Sequence, residues 1–293
     1  MISLRLLTVA AAVLSFSSAH CAQAKEWVWG GKLDLTRGVT NVEGAAGGGL
    51  ASWAVIAGNE TRDGVGATAN ATFVHLPAYD FRAYSAGIGL FDRAEISYAR
   101  QQFDTGDTGA KLGIGKGLTF DQDVVGLKVR VLGDAVYDQD TWLPQVSVGL
   151  QYKHNDRAAI IKAIGGKSDS GVDYYVAATK VLLDSSLVLD ATVRATQANQ
   201  LGILGFGGDR SDAYLAQFEG SAGYLVTRRL LVGVEYRTKP DNLKIAHESN
   251  WADIFAAYAI NKNLSVTVAY ADLGDIVTFT RQRGVYVALQ AGF

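Results

Sequence analysis

The sequence predicts an all-β fold: a transmembrane, antiparallel up-and-down β-barrel of about 14 strands, with 12 as the alternative. Three observations predict it. Segments of about ten residues alternate apolar with small, polar or charged side chains, the period of a strand with one apolar face. Their connections alternate short and long. After Phe16 no stretch approaches the roughly 18 unbroken apolar residues that a spanning helix needs, so a membrane must be met by strands.

The chain opens with Arg5, the apolar run Leu6 to Phe16, and Ala22-Gln23-Ala24, an A-x-A cleavage pattern. Residues 1–24 therefore read as a secretory signal peptide, leaving 25–293 as one barrel domain. Cys21 invites a lipoprotein reading, but His20 stands where that processing wants a small residue. Cleavage after Ala24 discards the single Cys, which excludes disulfides and Cys-based zinc or redox sites. Of 293 residues 48% are hydrophobic, with 33 Gly, 13 Tyr, 11 Phe and 3 Pro; the formal charge of −2 gives no electrostatic footprint for nucleic acid.

Thirteen segments carry the alternation clearly: about 50–58, 65–76, 81–90, 94–102, 120–132, 144–154, 171–183, 186–197, 212–226, 229–238, 250–260, 264–273 and 284–293. In 264–270, Leu264, Val266, Val268 and Tyr270 oppose Ser265, Thr267 and Ala269. In 187–196, Leu187, Leu189, Ala191, Val193 and Ala195 oppose Val188, Asp190, Thr192, Arg194 and Thr196. An odd count would leave the two ends on opposite sides of the membrane, so the weaker alternation of Gly30 to Gly38 supplies a fourteenth strand. The count becomes twelve if this N-terminal pair, interrupted by "GAAGGG" at 44–49, folds inside as a plug.

A soluble sandwich has no need for short turns at 91–93, 184–186, 227–228 and 261–263 alternating with long segments at about 103–118, 155–170, 198–211, 239–249 and 273–282. A barrel with periplasmic turns and extracellular loops does. Phe73, Tyr152, Tyr175, Tyr224, Tyr236, Tyr258 and Tyr270 lie toward strand ends on the apolar phase, where an interfacial girdle belongs.

"GVYVALQAGF" ends on Phe293, on the apolar phase. It resembles the C-terminal assembly signal of Gram-negative outer-membrane barrels, with Ala291 where a second aromatic often stands. "VEGAAGGGLASWAVIAG", "GDAVYDQDTWLPQ", "EYRTKPDNL" and "AYADLGDI" are similar to one proteobacterial outer-membrane family of unknown function. The resemblance implies a porin-like barrel in the outer membrane, contact with outer-membrane lipid and the barrel-assembly machinery, and no activity to carry over.

Candidate chemistry is sparse. His247-Glu248-Ser249 has the residue types of a hydrolase, but neighbours on an extended chain point to opposite faces. "GIGKG" at 113–117 lacks the strand and helix of a phosphate cradle. "DAVYDQD" at 134–140 lacks the spacing of a calcium loop and reads as a periplasmic turn. The expectation is a protein that is not an enzyme, with neither cofactor nor metal.

Glu95, Lys128, Arg130, Lys180, Asp190, Arg194, Glu219, Glu235 and Arg237 fall on the phase opposite the apolar stripe, and charges at bilayer depth must pair or face water. They are expected to line a lumen, with Lys128, Arg130, Lys180 and Arg194 forming a positive wall beside Glu219 and Glu235. The functional expectation is a channel for small polar or amphipathic solutes. Its alternatives are a structural barrel with a plugged lumen and, less favoured, a lipid-modifying enzyme at the rim. The apolar helical spacing in 155–170 raises the question of whether that segment folds inward.

Overall fold

A computed structural model describes residues 30–245 and 247–293. The signal-peptide expectation for residues 1–24 lies outside the described residues.

Twelve antiparallel strands form the wall, and it closes. The first two described strands are not part of it: β1 (Val39–Thr40) and β2 (Ala46–Gly47) pair with each other. The wall runs through β3 (Val65–His75), β4 (Asp80–Leu90), β5 (Ala94–Asp104), β6 (Thr119–Leu132), β7 (Gln145–Asn155) and β8 (Ser170–Leu182). It continues through β9 (Leu187–Thr196), β10 (Leu215–Thr227), β11 (Leu230–Arg237), β12 (Trp251–Ala259), β13 (Leu264–Asp272) and β14 (Arg283–Gly292). Consecutive strands are neighbours, and β14 returns to β3 with Val285 opposite His75 and Gly292 opposite Thr68. Closure satisfies every edge, which a sheet in hydrocarbon requires.

Twelve is the smaller of the two strand counts the sequence allowed. Residues 35–38 of the first segment and all of 50–58 lie inside the bore, where every residue from Leu35 to Glu60 is buried, while Leu33 is exposed. Glycine makes this plug possible at particular points. Gly44 has φ +91°, which only a residue without Cβ adopts freely, and a Cβ on Gly48 would stand 1.7 Å from Glu235 Oε1.

The period-two pattern sets the two faces of the wall. Val268, Tyr270, Val285, Val287 and Leu289 point outward and are exposed, while Thr267, Ala269, Tyr286, Ala288 and Gln290 point inward and are buried. Exposed Tyr84, Tyr236 and Tyr270 stand toward the long-connection end, with Tyr224, Tyr258 and Phe293 toward the other, flanking the apolar band as interfacial girdles do. One aromatic is reassigned: Tyr175 is 4% exposed and points into the bore, and its neighbour Tyr174 takes the outward position. With two adjacent tyrosines the alternation alone does not say which faces out.

Short turns lie at the Phe293 end, the periplasmic end of such barrels, joined there by the longer connection 133–144. At the opposite end the connections carry two short α-helices, α1 (Gly106–Lys111) and α2 (Ala158–Ala163). The segment 155–170 does fold over the mouth: Ile161 of α2 is fully buried.

Candidate functional site: the plugged bore

The site is the interface between the plug and the wall, and Glu43 is its hub. The Asn41 side-chain oxygen accepts the N–H groups of Glu43 (3.0 Å) and Ala45 (3.1 Å), forming a local turn that presents the Glu43 carboxylate. Arg237 of β11 donates to it at 2.7 Å, Lys153 of β7 binds its other oxygen, and Arg194 of β9 lies 3.6 Å away. Each cation also has an acid on the wall. Lys153 pairs with Asp173 at 2.6 Å; Arg194 Nε pairs with Glu219 at 2.5 Å and Arg237 Nε with the same carboxylate at 3.4 Å. A carboxylate this deeply buried is tolerable because its charge is matched and hydrogen-bonded.

Beside this hub, wall carboxylates hold the backbone of the plug. Glu235 accepts N–H groups from Gly49 (2.6 Å) and Leu50 (2.8 Å) and a hydroxyl from Ser221 (2.7 Å). Glu219 accepts Ser52 N–H at 2.8 Å, and Glu95 accepts those of Ala46 and Ala57. Lys128 completes the Glu95 site, donating to that carboxylate (3.0 Å) and to the carbonyls of Ala46 and Val55. The plug lacks sheet partners for most of its backbone, so the wall's side chains take the place of a ladder.

The sequence-predicted lumen residues are placed as follows. Glu95, Lys128, Asp190, Arg194, Glu219, Glu235 and Arg237 point inward and are buried against the plug. Arg130 points inward near the Phe293 end, paired with Asp92 at 2.8 Å and Asp134 at 3.5 Å. Lys180 does not line the bore. It sits opposite outward-facing Leu189, out of phase with Asp173, Tyr175 and Thr179, and its ammonium is taken up by the Asp138 and Leu143 carbonyls of the 133–144 connection. A long side chain at a strand end can bend its charge out of the apolar phase in this way. Nor is there a positive wall: Lys128, Arg130 and Arg194 each sit against an acid.

Sequence reasoning missed Glu43, Lys153, Asp173 and Asp253. Lys153 was within reach, since the inward phase of β7 through Ser147, Gly149 and Gln151 arrives at Lys153 two residues later. Asp173 was hidden by the misassigned Tyr175, with which it shares a face. Asp253 stands directly opposite Glu235, and its Oδ1 has no hydrogen-bond partner among the described residues.

The hydrolase-like triplet does not converge. His247 is exposed and meets Asp241 at 3.1 Å, whereas Glu248 is buried on Lys239 at 2.9 Å. Burial pushes the Glu248 carboxyl up and the Lys239 ammonium down, with their mutual attraction opposing both. At 134–140 the Asp134 carboxylate is used as a cap, accepting from Val136 and Tyr137 N–H and pairing with Arg62 at 3.1 Å. Among the described residues no group of three or more His, Cys, Asp or Glu could hold a metal ion.

One protein-family model spans residues 36–290, from the plug into the last strand. The chain belongs to that family, described as "Protein of unknown function (DUF3034)". No curated protein matches the chain. Among solved structures, this family member is similar to the KdgM porin in complex with disordered oligogalacturonate, at 11% identity and a TM-score of 0.47 over 77% of this chain and 99% of that one. The NanC porin matches at 9% identity and a TM-score of 0.47, over 78% and 98%. Outer membrane phospholipase A from Escherichia coli matches at 11% identity and a TM-score of 0.41, over 78% and 92%. The family member is a closed twelve-stranded antiparallel β-barrel with its bore filled by its own residues 35–60.

Proposed function

We propose that the protein is a gated channel of the Gram-negative outer membrane, delivered by its signal peptide and the barrel-assembly machinery, in which residues 35–60 are the gate and the structure is the closed state. The observation that carries this reading is the chemistry by which the plug is held. Val42, Leu50, Trp53 and Val55 pack against apolar wall residues, but the plug's charged contacts with the wall run through Glu43, Glu95, Glu219, Glu235 and the cations around them. A permanent stopper is better made from apolar packing, because well-packed apolar replacements for buried ion pairs are often neutral or stabilising. Ion pairs give a plug that docks in one register, and water entering the bore can solvate each partner as it leaves. The plug joins the wall through the single connection between Glu60 and Val65, so it can swing without breaking the barrel.

The second reading is a structural barrel. It is favoured by the same network if that network never opens, since so many of its charges are matched in place. Planar-bilayer recordings of Glu43→Ala against the parent separate the two. A gate predicts that loss of the hub raises the frequency of conducting steps in a barrel that remains heat-modifiable on gels. A folded Glu43→Ala barrel that never conducts makes the structural reading the better one.

A further inference from the structure

The wall holds the plug from one side. Every strand from β5 to β11 carries a buried inward charge, and every one of them bonds the plug through an inward side chain. The rest of the circle, β12, β13, β14, β3 and β4, is different. Among the described residues its only inward charge is Asp253, and its only side chain bonded to the plug is Gln290, which accepts the Thr40 N–H at 2.6 Å. In place of charge these strands carry neutral hydrogen-bonding groups. Ser265 of β13, Gln290 of β14, Asn70 of β3 and Ser85 of β4 stand directly opposite one another in turn, a buried belt that runs across the strands. Thr68 lies two residues along β3 from Asn70 on the same face. Thr68 Oγ1, Asn70 Oδ1 and Ser85 Oγ have no hydrogen-bond partner among the described residues. The plug covers this region with small groups: a Cβ on Gly87 of β4 would lie 3.1 Å from Thr68 Oγ1 and 3.4 Å from the Cβ of Ala57.

We infer that this belt is a binding site for small uncharged polyols, uncovered when the plug leaves the bore, an assignment that rests on the gated-channel reading and names the class of its solute. Buried polar groups are nearly always hydrogen-bonded, so unpartnered ones gathered in a single belt point to partners that the docked plug does not supply. The Thr68 and Ser85 hydroxyls both donate and accept, and the Asn70 carbonyl oxygen accepts, which suits a molecule carrying several hydroxyls. Neighbouring side chains in such a row stand about 5 Å apart, within reach of one small solute. A site of this kind rejects an analogue with fewer hydroxyls, because its own polar groups are then left unpaired. A charged solute finds no counter-charge beside it. Asp253 lies six residues along β12 from Ala259, the position opposite Ser265, which is roughly 20 Å of extended chain.

The test uses the full barrel in planar bilayers, opened by Glu43→Ala, with xylitol as the probe. Xylitol should lower the size of the conducting steps saturably, beyond the linear fall that bulk viscosity produces. Pentanediol, the same chain length with fewer hydroxyls, and glycine betaine, which is zwitterionic, should give the linear fall alone. Thr68→Val with Ser85→Ala removes the two unpartnered hydroxyls with little change of shape. Added to Glu43→Ala, this pair should keep the steps and weaken the apparent xylitol affinity by about tenfold, the effect of losing roughly 1.4 kcal/mol. Placed in the parent barrel, the same pair should leave the guanidinium midpoint no lower, since neither hydroxyl gives up a protein hydrogen bond. A lowered midpoint shows that the hydroxyls serve the fold and overturns the assignment. So does a xylitol affinity that the pair leaves unchanged, or a saturable block by pentanediol or betaine equal to that by xylitol. Steps that ignore xylitol refute the solute class and leave the gate standing, whereas a Glu43→Ala barrel that never conducts refutes the gate and the belt with it.

Discussion

Arg237 of β11 and Glu43 of the plug meet at 2.7 Å inside the bore, although 194 residues separate them in sequence. The contact ties the fate of the plug to the far side of the barrel. Removing one partner of a buried pair typically costs 3–5 kcal/mol. In Glu43→Ala, Lys153 keeps Asp173 while Arg194 and Arg237 keep Glu219, so the expected loss is at the lower end, about 3 kcal/mol. Guanidinium unfolding followed by tryptophan fluorescence measures it. A midpoint equal to the parent's would show that Glu43 is not a hub.

The pH dependence of plug docking centres on Glu60, outside the spanning strands. Burial, opposed by Lys32 at 3.5 Å, pushes its carboxyl from the ordinary 4.5 up to about 7. The folded state then holds a proton that the unfolded chain has lost between those values, so Glu60 makes stability fall as pH rises from about 5 to about 7. The contribution is present in full below 4.5, and above 7 no further change comes from this residue. Melting temperatures at pH 5.5 and 8 should differ more in the parent than in Glu60→Gln. Equal differences would place the titration elsewhere.

The outward phase should not tolerate charge. Val268 is 46% exposed midway along β13, and Val268→Arg should cost about 2–4 kcal/mol if it lies at the bilayer midplane. Thr141→Arg, on the exposed 133–144 connection, serves as the control and should leave the folded fraction unchanged. An inward position such as Thr267 is no control, because it is 3% exposed in a filled bore. Equal loss of heat-modifiable barrel from both substitutions would break the assignment of faces.

Phe293 joins the seam of the barrel to the plug. Its carbonyl accepts the N–H of Ala67 on β3 at 3.0 Å and that of Asn59 at 2.8 Å, while its ring is 53% exposed on the outward face. Phe293→Gln should lower the yield of assembled barrel in the outer membrane by removing that ring while the backbone contacts remain. An unchanged yield would remove any assembly role from the ring.

Much of the wall was legible because each strand writes its two faces locally, as Val285, Val287 and Leu289 do against Tyr286, Ala288 and Gln290. The plug was legible only as an option. Residues 50–58 are apolar and extended like a strand, and nothing local says that both of their sides will be buried. Which charges meet was not legible at all, since Glu43 finds Lys153, Arg194 and Arg237 across 110 to 194 residues of chain. Lys180 misled for a related reason: at a strand end the connection that receives its ammonium outweighs the phase of its Cα.

The central claim is that residues 35–60 must move for solutes to pass. Ala54 of the plug and Ala177 of β8 are both fully buried and share one cluster with Tyr175, so Ala54→Cys with Ala177→Cys is the pair chosen to staple the plug to the wall, with closure of the disulfide checked by loss of free thiol. Conductance of that double variant in planar bilayers, combined with Glu43→Ala to loosen the hub, is the direct measurement. The account predicts conducting steps under reductant, their loss on oxidation and their return on reduction again. Steps that continue at the same frequency with the disulfide formed would show that the path does not run through the plug, and would contradict it.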